Sequence, residues 1–425
     1  MANTPLALGI DLGTSGVRIA AIDGDRSLLF SAATGYRQGL HEPSDWIRAL
    51  TELIPSIPPP IRKRLGALAV DGTSGTLLAC NDQGTPLGDA LPYHQACPEQ
   101  IEHVRDLVTE GGPACSASSS LARALRLLKQ HEHPVLLRHQ ADWVLGWLLQ
   151  DWRWGEEGNN IRLGWLLQDQ CWPQSFQREA WMAALPDIRP SGTPLGTLSR
   201  QRSNELGLPN DLIVVAGTTD ANAAVLTADA ADDEGITVLG STLVIKRFMD
   251  EPLRPGAGTS THRVGGRWLG GGASNSGGAV LRQVFPGVDL TELSRQIDPE
   301  ESSGLDLRPL ACKGERFPVD DPEQEPVLTP RPVSDALYLH ALLEGLSRIE
   351  RDGWQRLQQL GAPAPKKLVT LGGGARNPQW RRLRAHAWTA DPQLHHSSGC
   401  RGCPSGTHRS ATKVLCRESF RVRID

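Results

Sequence analysis

An α/β fold in two domains is what the sequence predicts, and three observations predict it. The chain has 425 residues, well beyond the ~250–300 at which a single hydrophobic core stops growing. Short apolar runs closed by Gly or Asp recur along it and read as buried strands. Between them lie stretches whose apolar residues fall at helical spacing, and strands alternating with helices argue for α/β layers. Two such domains leave a cleft between them, the natural place for a small-molecule site.

The elements follow in order. Leu6-Ala7-Leu8-Gly9-Ile10 is apolar and ends in a turn, after which Val17 to Ile22 resumes as a strand before Asp23-Gly24-Asp25, so the two form a hairpin around a glycine-rich turn. Further strands are expected at Leu68-Ala69-Val70, Leu212 to Val215, Ile236 to Leu239 and Lys367 to Leu371. Helices are expected over 121–130, 141–149 and 336–360, the last with Leu339, Leu342, Leu343, Leu346 and Ile349 on one stripe. The polar, proline-bearing stretch from Cys312 to Arg331 reads as a long surface connection, and no clean internal repeat is visible.

Composition narrows the function. A formal net charge of −4 and the lack of a long Lys/Arg run exclude the basic stripe that nucleic-acid phosphates require, and favour a small-molecule substrate. Neither a positively charged, apolar leader nor a window of ~18 continuous apolar residues occurs, so a soluble, cytoplasmic protein without a membrane partner is expected. Cys80, Cys97, Cys115, Cys171 and Cys312 are scattered without motif spacing and read as reduced thiols. Nothing in the sequence speaks to oligomeric state.

Four motifs carry chemistry. In Asp11-Leu12-Gly13-Thr14-Ser15-Gly16-Val17-Arg18, glycines flanking small hydroxyl residues let backbone N–H groups close around phosphate oxygens, and the carboxylate at the strand end can hold hydrated Mg²⁺. An ordinary β-turn capped by Asp11 is the alternative. Val214 to Thr219 is a buried strand delivering a lone carboxylate, Asp220, placed to take a proton from an attacking hydroxyl or else simply to cap the helix that follows. Gly240-Ser241-Thr242 is a second turn of glycine and hydroxyls between apolar strands, a phosphate clamp or a plain hairpin. Gly372-Gly373-Gly374 follows a strand and precedes Asn377; missing side chains there would let a flat ring such as adenine lie against backbone.

In that order the motifs resemble the FGGY carbohydrate kinases, which share the fold of actin and the heat-shock chaperone ATPases, and the resemblance runs from about Leu6 to Ala385. It implies two actin-like ATPase (ribonuclease H-like) α/β domains around a central cleft: residues 1–228 binding sugar and phosphate, residues 229–385 binding nucleotide. Val70-Asp71-Gly72-Thr73-Ser74-Gly75-Thr76, Tyr93 to Pro98, Gln140 to Trp143 and Gly271 to Gly278 look closest to the compact D-ribulose kinases of cyanobacteria and plant plastids. Xylulose kinases typically carry Ser-Gly-Gln-Met-His-Gly where this chain has Asp71 to Thr76, which favours ribulose.

The resemblance implies ATP-dependent phosphorylation of D-ribulose to D-ribulose 5-phosphate, with ATP and Mg²⁺. Asp220 would be the general base and Asp11 the Mg²⁺ carboxylate, directly or through water. Asp11, Ser74, Gln95 and Asp220 would face the sugar, although Gln95 stands where many broader family members have Asp. Gly13, Thr14, Ser15, Gly16, Gly240, Ser241 and Thr242 would face phosphate, and Gly372, Gly373, Gly374 and Asn377 the adenosine. A xylulose or other polyol kinase, or an impaired sugar- or nucleotide-binding relative, are the alternatives.

Other residues receive plainer readings. Most of the twelve tryptophans are expected to be packing residues rather than sugar platforms. Lys246 reads as an edge-strand lysine. After Ala385 the resemblance stops, and residues 386–425 form an atypical tail, out of frame or disordered. There His395, His396, Cys400, Cys403, His408 and Cys416 lack the regular spacing of a zinc knuckle. Loss of a core strand and helix at this point would weaken the nucleotide half more than the sugar half.

Overall fold

Leu6–Leu12 (β1) is buried at every position, including Asp11, because both faces of this strand are covered and its apolar run is nearly continuous. In the computed structural model, which describes residues 5–131, 134–389 and 400–402, β1 pairs antiparallel with Gly16–Ile22 (β2), and β2 with Leu28–Gly35 (β3). On its other side β1 runs parallel to Leu65–Gly72 (β4). Antiparallel Pro194–Thr197 (β5) closes the edge of the sheet beyond parallel Ile213–Thr219 (β6), giving the order β3-β2-β1-β4-β6-β5.

A second six-stranded sheet contains Glu234–Leu239 (β7), Leu243–Met249 (β8), Thr259–Val264 (β9), Arg267–Ala273 (β10), Lys367–Leu371 (β11) and Cys400–Gly402 (β12), in the order β9-β10-β8-β7-β11-β12. β7 and β8 are antiparallel, as are β8 and β10, whereas β11 runs parallel to β7 and β12 parallel to β11. Both sheets therefore contain three antiparallel strands followed by two parallel ones, in the same spatial order.

The chain separates into two compact units. One holds residues up to Thr227 together with Arg263–Gly266; the other holds Ala228–His262 and, among the described residues, Arg267 to Gly402. In the first, the helices Pro43–Leu53 and Gln140–Leu149 supply Trp46 and Trp143, whose rings meet edge-to-face at 5.8 Å within the core that buries β1. In the second, the helix Asp335–Gln359 is capped by Ser334, which accepts from the Leu337 N–H, and its Leu339, Leu342, Leu343, Leu346 and Ile349 are all buried. Trp354 of that helix lies over Gly235, where an added Cβ would come within 2.4 Å of the ring.

Every strand and helix expected from the sequence is present. Two expectations are corrected. Lys246 is on β8, an interior strand between β7 and β10, where it is buried and its Nζ donates to Ser260 Oγ at 2.9 Å; burial pushes its amine down to about 8. The Cys312–Arg331 connection is irregular, yet Phe317 is completely buried in the second core and Glu315 accepts from Ser274 Oγ and the Asn275 N–H. Residues 386–389 complete the helix Pro378–Thr389, and β12 supplies a parallel neighbour to β11. His395, His396, Cys403, His408 and Cys416 lie outside the described residues. The five scattered cysteines are free thiols. No helix among the described residues is long and apolar enough to cross a membrane.

One buried acid in the first unit makes stability depend on pH. Glu156 is buried; its carboxylate accepts the Asn159 N–H at 2.8 Å and caps the short helix Glu157–Asn160, yet Oε1 has no partner. Burial, with Glu157 and Asp142 nearby, holds its carboxyl well above the usual range. Such a group binds its proton more tightly folded than unfolded, so its contribution is intact below the unfolded value of ~4.3 and is lost as pH rises towards the folded value. Glu156→Gln removes that titration. Urea midpoints should therefore shift in the variant's favour between pH 5 and pH 8; parallel pH profiles for the two proteins would rule this out.

Candidate functional site

Three adjacent parallel strands of the first sheet end in carboxylates. Asp11 stands directly opposite Asp71 in the β1–β4 register, and Thr218 opposite Asp71 in the β4–β6 register, so Asp220 follows two positions beyond. The carboxyl ends of parallel strands are where open α/β sheets hold their ligands. The close approach of β6 to β4 depends on Gly217, where a Cβ would fall 1.8 Å from the Val70 carbonyl oxygen.

The three acids occupy different environments. Asp11 is also the cross-strand partner of Arg18, whose Nη1 pairs with its Oδ2 at 2.8 Å. Asp71 is fully buried; as a carboxylate it has no donor, whereas protonated it can donate to Asp11. Burial first, then the charges of Asp11 and Asp220, hold Asp71 well above the usual carboxylate range, which favours that protonated form. Asp220 is half-buried at the first position of the helix Asp220–Leu226. The cap of that helix is Thr219, whose Oγ1 accepts the Asn222 N–H, so the capping role considered for Asp220 is already filled. Burial and the charge of Asp11 raise the Asp220 carboxyl, opposed by hydrogen bonds from the backbone N–H groups of Ala221 and Ser74. Asp220 is thus not a lone carboxylate, and a raised value makes it a stronger base.

The turn after β4 is held from several sides. Gln140 Oε1 accepts the Thr73 N–H at 3.1 Å and Thr73 Oγ1 at 2.8 Å, while its Nε2 donates to Tyr36 Oη at 3.2 Å. Thr76 Oγ1 accepts the Tyr93 N–H at 3.2 Å, tying this turn to the loop that carries Gln95. Ser74 and Gln95 are both half-buried, and Gln95 accepts through its carbonyl from Arg123. Between β1 and β2 the Gly13 N–H donates to the Gly16 carbonyl at 2.9 Å, leaving Thr14 and Ser15 exposed at the tip. The Ser15 carbonyl accepts from the Tyr36 N–H, and Gly16 abuts Thr34 too closely for a side chain.

In the second unit, Gly240–Thr242 joins β7 to β8. The Gly240 and Ser241 carbonyls accept from the N–H groups of Gly278 and Ala279, and Arg282 Nη2 donates to Ser241 Oγ at 2.9 Å. Gly372, at φ +87°, lies where a Cβ would meet the Leu239 carbonyl oxygen at 2.5 Å, which sets the late glycine turn beside the 240–242 turn. Gly374 is covered by Trp380, and Gly373 alone of the three opens on free space. Asn377 is committed to structure: Oδ1 accepts the N–H groups of Gln379 and Trp380, each at 3.1 Å, and Nδ2 donates to Ser294 Oγ.

The sequence reading passed over Asp71, although it carries the same mark as Asp11 and Asp220: an acid closing an apolar strand just ahead of small residues. Gln140 and Arg123 carry no comparable local mark, because most of their partners are distant in sequence; Arg18 lies seven residues from Asp11, and their pairing follows from the β1–β2 register.

No family model matches the chain. It is 22% identical to a xylulose kinase of Lactococcus lactis, over 90% of this chain and 83% of that one. It is also 22% identical to an L-fuculokinase of Salmonella typhi, over 89% and 86%. Among solved structures, a xyloylose kinase from Brucella ovis superposes with a TM-score of 0.80 at 18% identity, covering 98% of this chain and 90% of that one. A Plasmodium falciparum glycerol kinase with ADP gives 0.75 at 14% identity, covering 90% and 84%. The chain therefore has the α/β fold of these kinases, the actin-like ATPase fold in two domains.

Proposed function

We propose that the protein is an ATP-dependent carbohydrate kinase of the FGGY type that phosphorylates D-ribulose to D-ribulose 5-phosphate. The observation that carries this reading is the carboxylate group at the ends of β1, β4 and β6, in which Asp220 is half-buried, raised in basicity and hydrogen-bonded to the turn bearing Ser74. A base so placed can take the proton of a sugar hydroxyl as that oxygen attacks a γ-phosphoryl group. Two turns of glycine and hydroxyl residues, 13–16 and 240–242, suit phosphate, and Gly373 offers a surface free of side chain to the nucleotide base. The names of the similar proteins support the carbohydrate-kinase class.

Asp11 offers Mg²⁺ a hard oxygen ligand. No group of three or more His, Cys, Asp or Glu side chains able to hold a metal occurs among the described residues. An ion held there would be bound through the Asp11 carboxylate, with water and phosphate oxygens completing its shell. Bound there, Mg²⁺ would neutralise phosphate charge; Arg18 meanwhile fixes the orientation of Asp11.

D-Ribulose is favoured over D-xylulose by the segment Asp71 to Thr76, which replaces the Ser-Gly-Gln-Met-His-Gly typical of xylulose kinases. The relatives named xylulose kinase support the second reading. ADP release across a panel of D-ribulose, D-xylulose, L-fuculose and glycerol decides: the highest kcat/KM is expected with D-ribulose. A preference for D-xylulose would replace the substrate, and no sugar-dependent ADP release would leave a binding protein.

A further inference from the structure

Arg123 is completely buried, and among the described residues no carboxylate pairs with it. Among the described residues its guanidinium bonds go to backbone carbonyls: Nε to Gly75 at 2.8 Å, Nη1 to Gln95 at 2.8 Å and Tyr93 at 3.1 Å, and Nη2 to Ser118 at 3.0 Å. A buried cation without a counter-ion is costly, and persists only where its hydrogen bonds are satisfied by fixed partners. Here those partners belong to three separate loops. Gly75 is in the turn whose Ser74 N–H holds the Asp220 carboxylate, and Tyr93 and Gln95 are in the loop expected to meet the sugar. The fit is close: a Cβ on Gly75, itself at φ +100°, would lie 2.9 Å from Nη2. Only a planar fork with several rigidly spaced donors can serve these carbonyls at once; a lysine ammonium has three donors on one atom.

We propose that Arg123 is a positioning residue for the acceptor site: its guanidinium locks the Thr73–Thr76 turn against the Tyr93–Gln95 loop and thereby sets the affinity for the sugar. This role rests on the carbohydrate-kinase reading. Arg123→Lys keeps the charge and most of the volume but cannot bridge the loops. Steady-state kinetics on the full chain should show KM for the sugar rising about tenfold or more, with KM for ATP and the urea midpoint within about twofold of wild type. Gly75→Ala, which presses a methyl group on Nη2 from the other side, should give the same split if the lysine variant does not fold. An unchanged sugar KM in a folded variant, or sugar and ATP KM rising together, overturns the proposal. Failure of both variants to fold also overturns it, since Arg123 would then serve the fold alone. If wild type phosphorylates no sugar, the kinase reading falls and this role with it; if wild type is active and the split is absent, only this role falls.

Discussion

Asp220→Asn should lower turnover by about 10²–10⁴-fold, the usual contribution of a positioned general base, while leaving the fold and sugar binding in place. The fold is expected to survive because Thr219, not Asp220, caps the helix Asp220–Leu226. What the substitution removes there is a first-turn charge worth about 0.3–1 kcal/mol, partly offset by relief of repulsion from Asp11. The pH profile supplies an independent reading. Burial raises the Asp220 carboxyl, and only its ionised form accepts a proton, so the wild-type rate should climb with pH through that raised value and level off above it. In the asparagine variant that acid limb should vanish. Turnover within tenfold of wild type, or an acid limb that persists unchanged, would remove Asp220 from the chemistry.

Much of this arrangement is legible in the sequence, and the parts that are not share a cause. β1, β4, β6, β7 and β11 announce themselves because a strand largely buried on both faces is predominantly apolar, and each is closed or followed by the glycine or acid that a turn or ligand requires. Lys246 is misjudged because edge or interior is a property of strand order: β8 gains its second neighbour, β10, only after the chain has gone out and back through β9. The relation between the two sheets is invisible for a similar reason. Strand order is a pattern of long-range pairing that very different apolar sequences can satisfy. For Asn377 the sequence alone does not separate a nucleotide contact from a helix cap, since asparagine after a glycine turn suits both, and its amide bonds with Gln379, Trp380 and Ser294 are local details that no pattern distinguishes.

A second large effect should come from the polar core of the second unit, at Arg384. Its Nε donates to Glu350 Oε2 at 2.5 Å, its Nη2 to Glu350 Oε1 at 2.6 Å and its Nη1 to Thr370 Oγ1 at 2.8 Å, and Thr237 Oγ1 also donates to Glu350 Oε1. Both charged groups are buried. The four residues come from β7, β11 and the helices Asp335–Gln359 and Pro378–Thr389, so one network joins the two strands that lead into the candidate phosphate and adenosine turns to the helix that Asn377 caps. Arg384→Met leaves the Glu350 carboxylate buried with only hydroxyl support, and should cost about 3–5 kcal/mol in urea unfolding of this unit. The double variant Glu350→Leu with Arg384→Met removes both charges together and should recover most of that loss, because desolvating an ion pair offsets much of its attraction. Recovery of stability need not restore the orientation of the two turns, which the bidentate pair fixes through Thr237 and Thr370. The expected signature of the double variant is therefore a near-normal unfolding midpoint with weakened binding of an ATP analogue. A single-variant cost below about 1 kcal/mol would mean the pair is solvated in solution and contributes little.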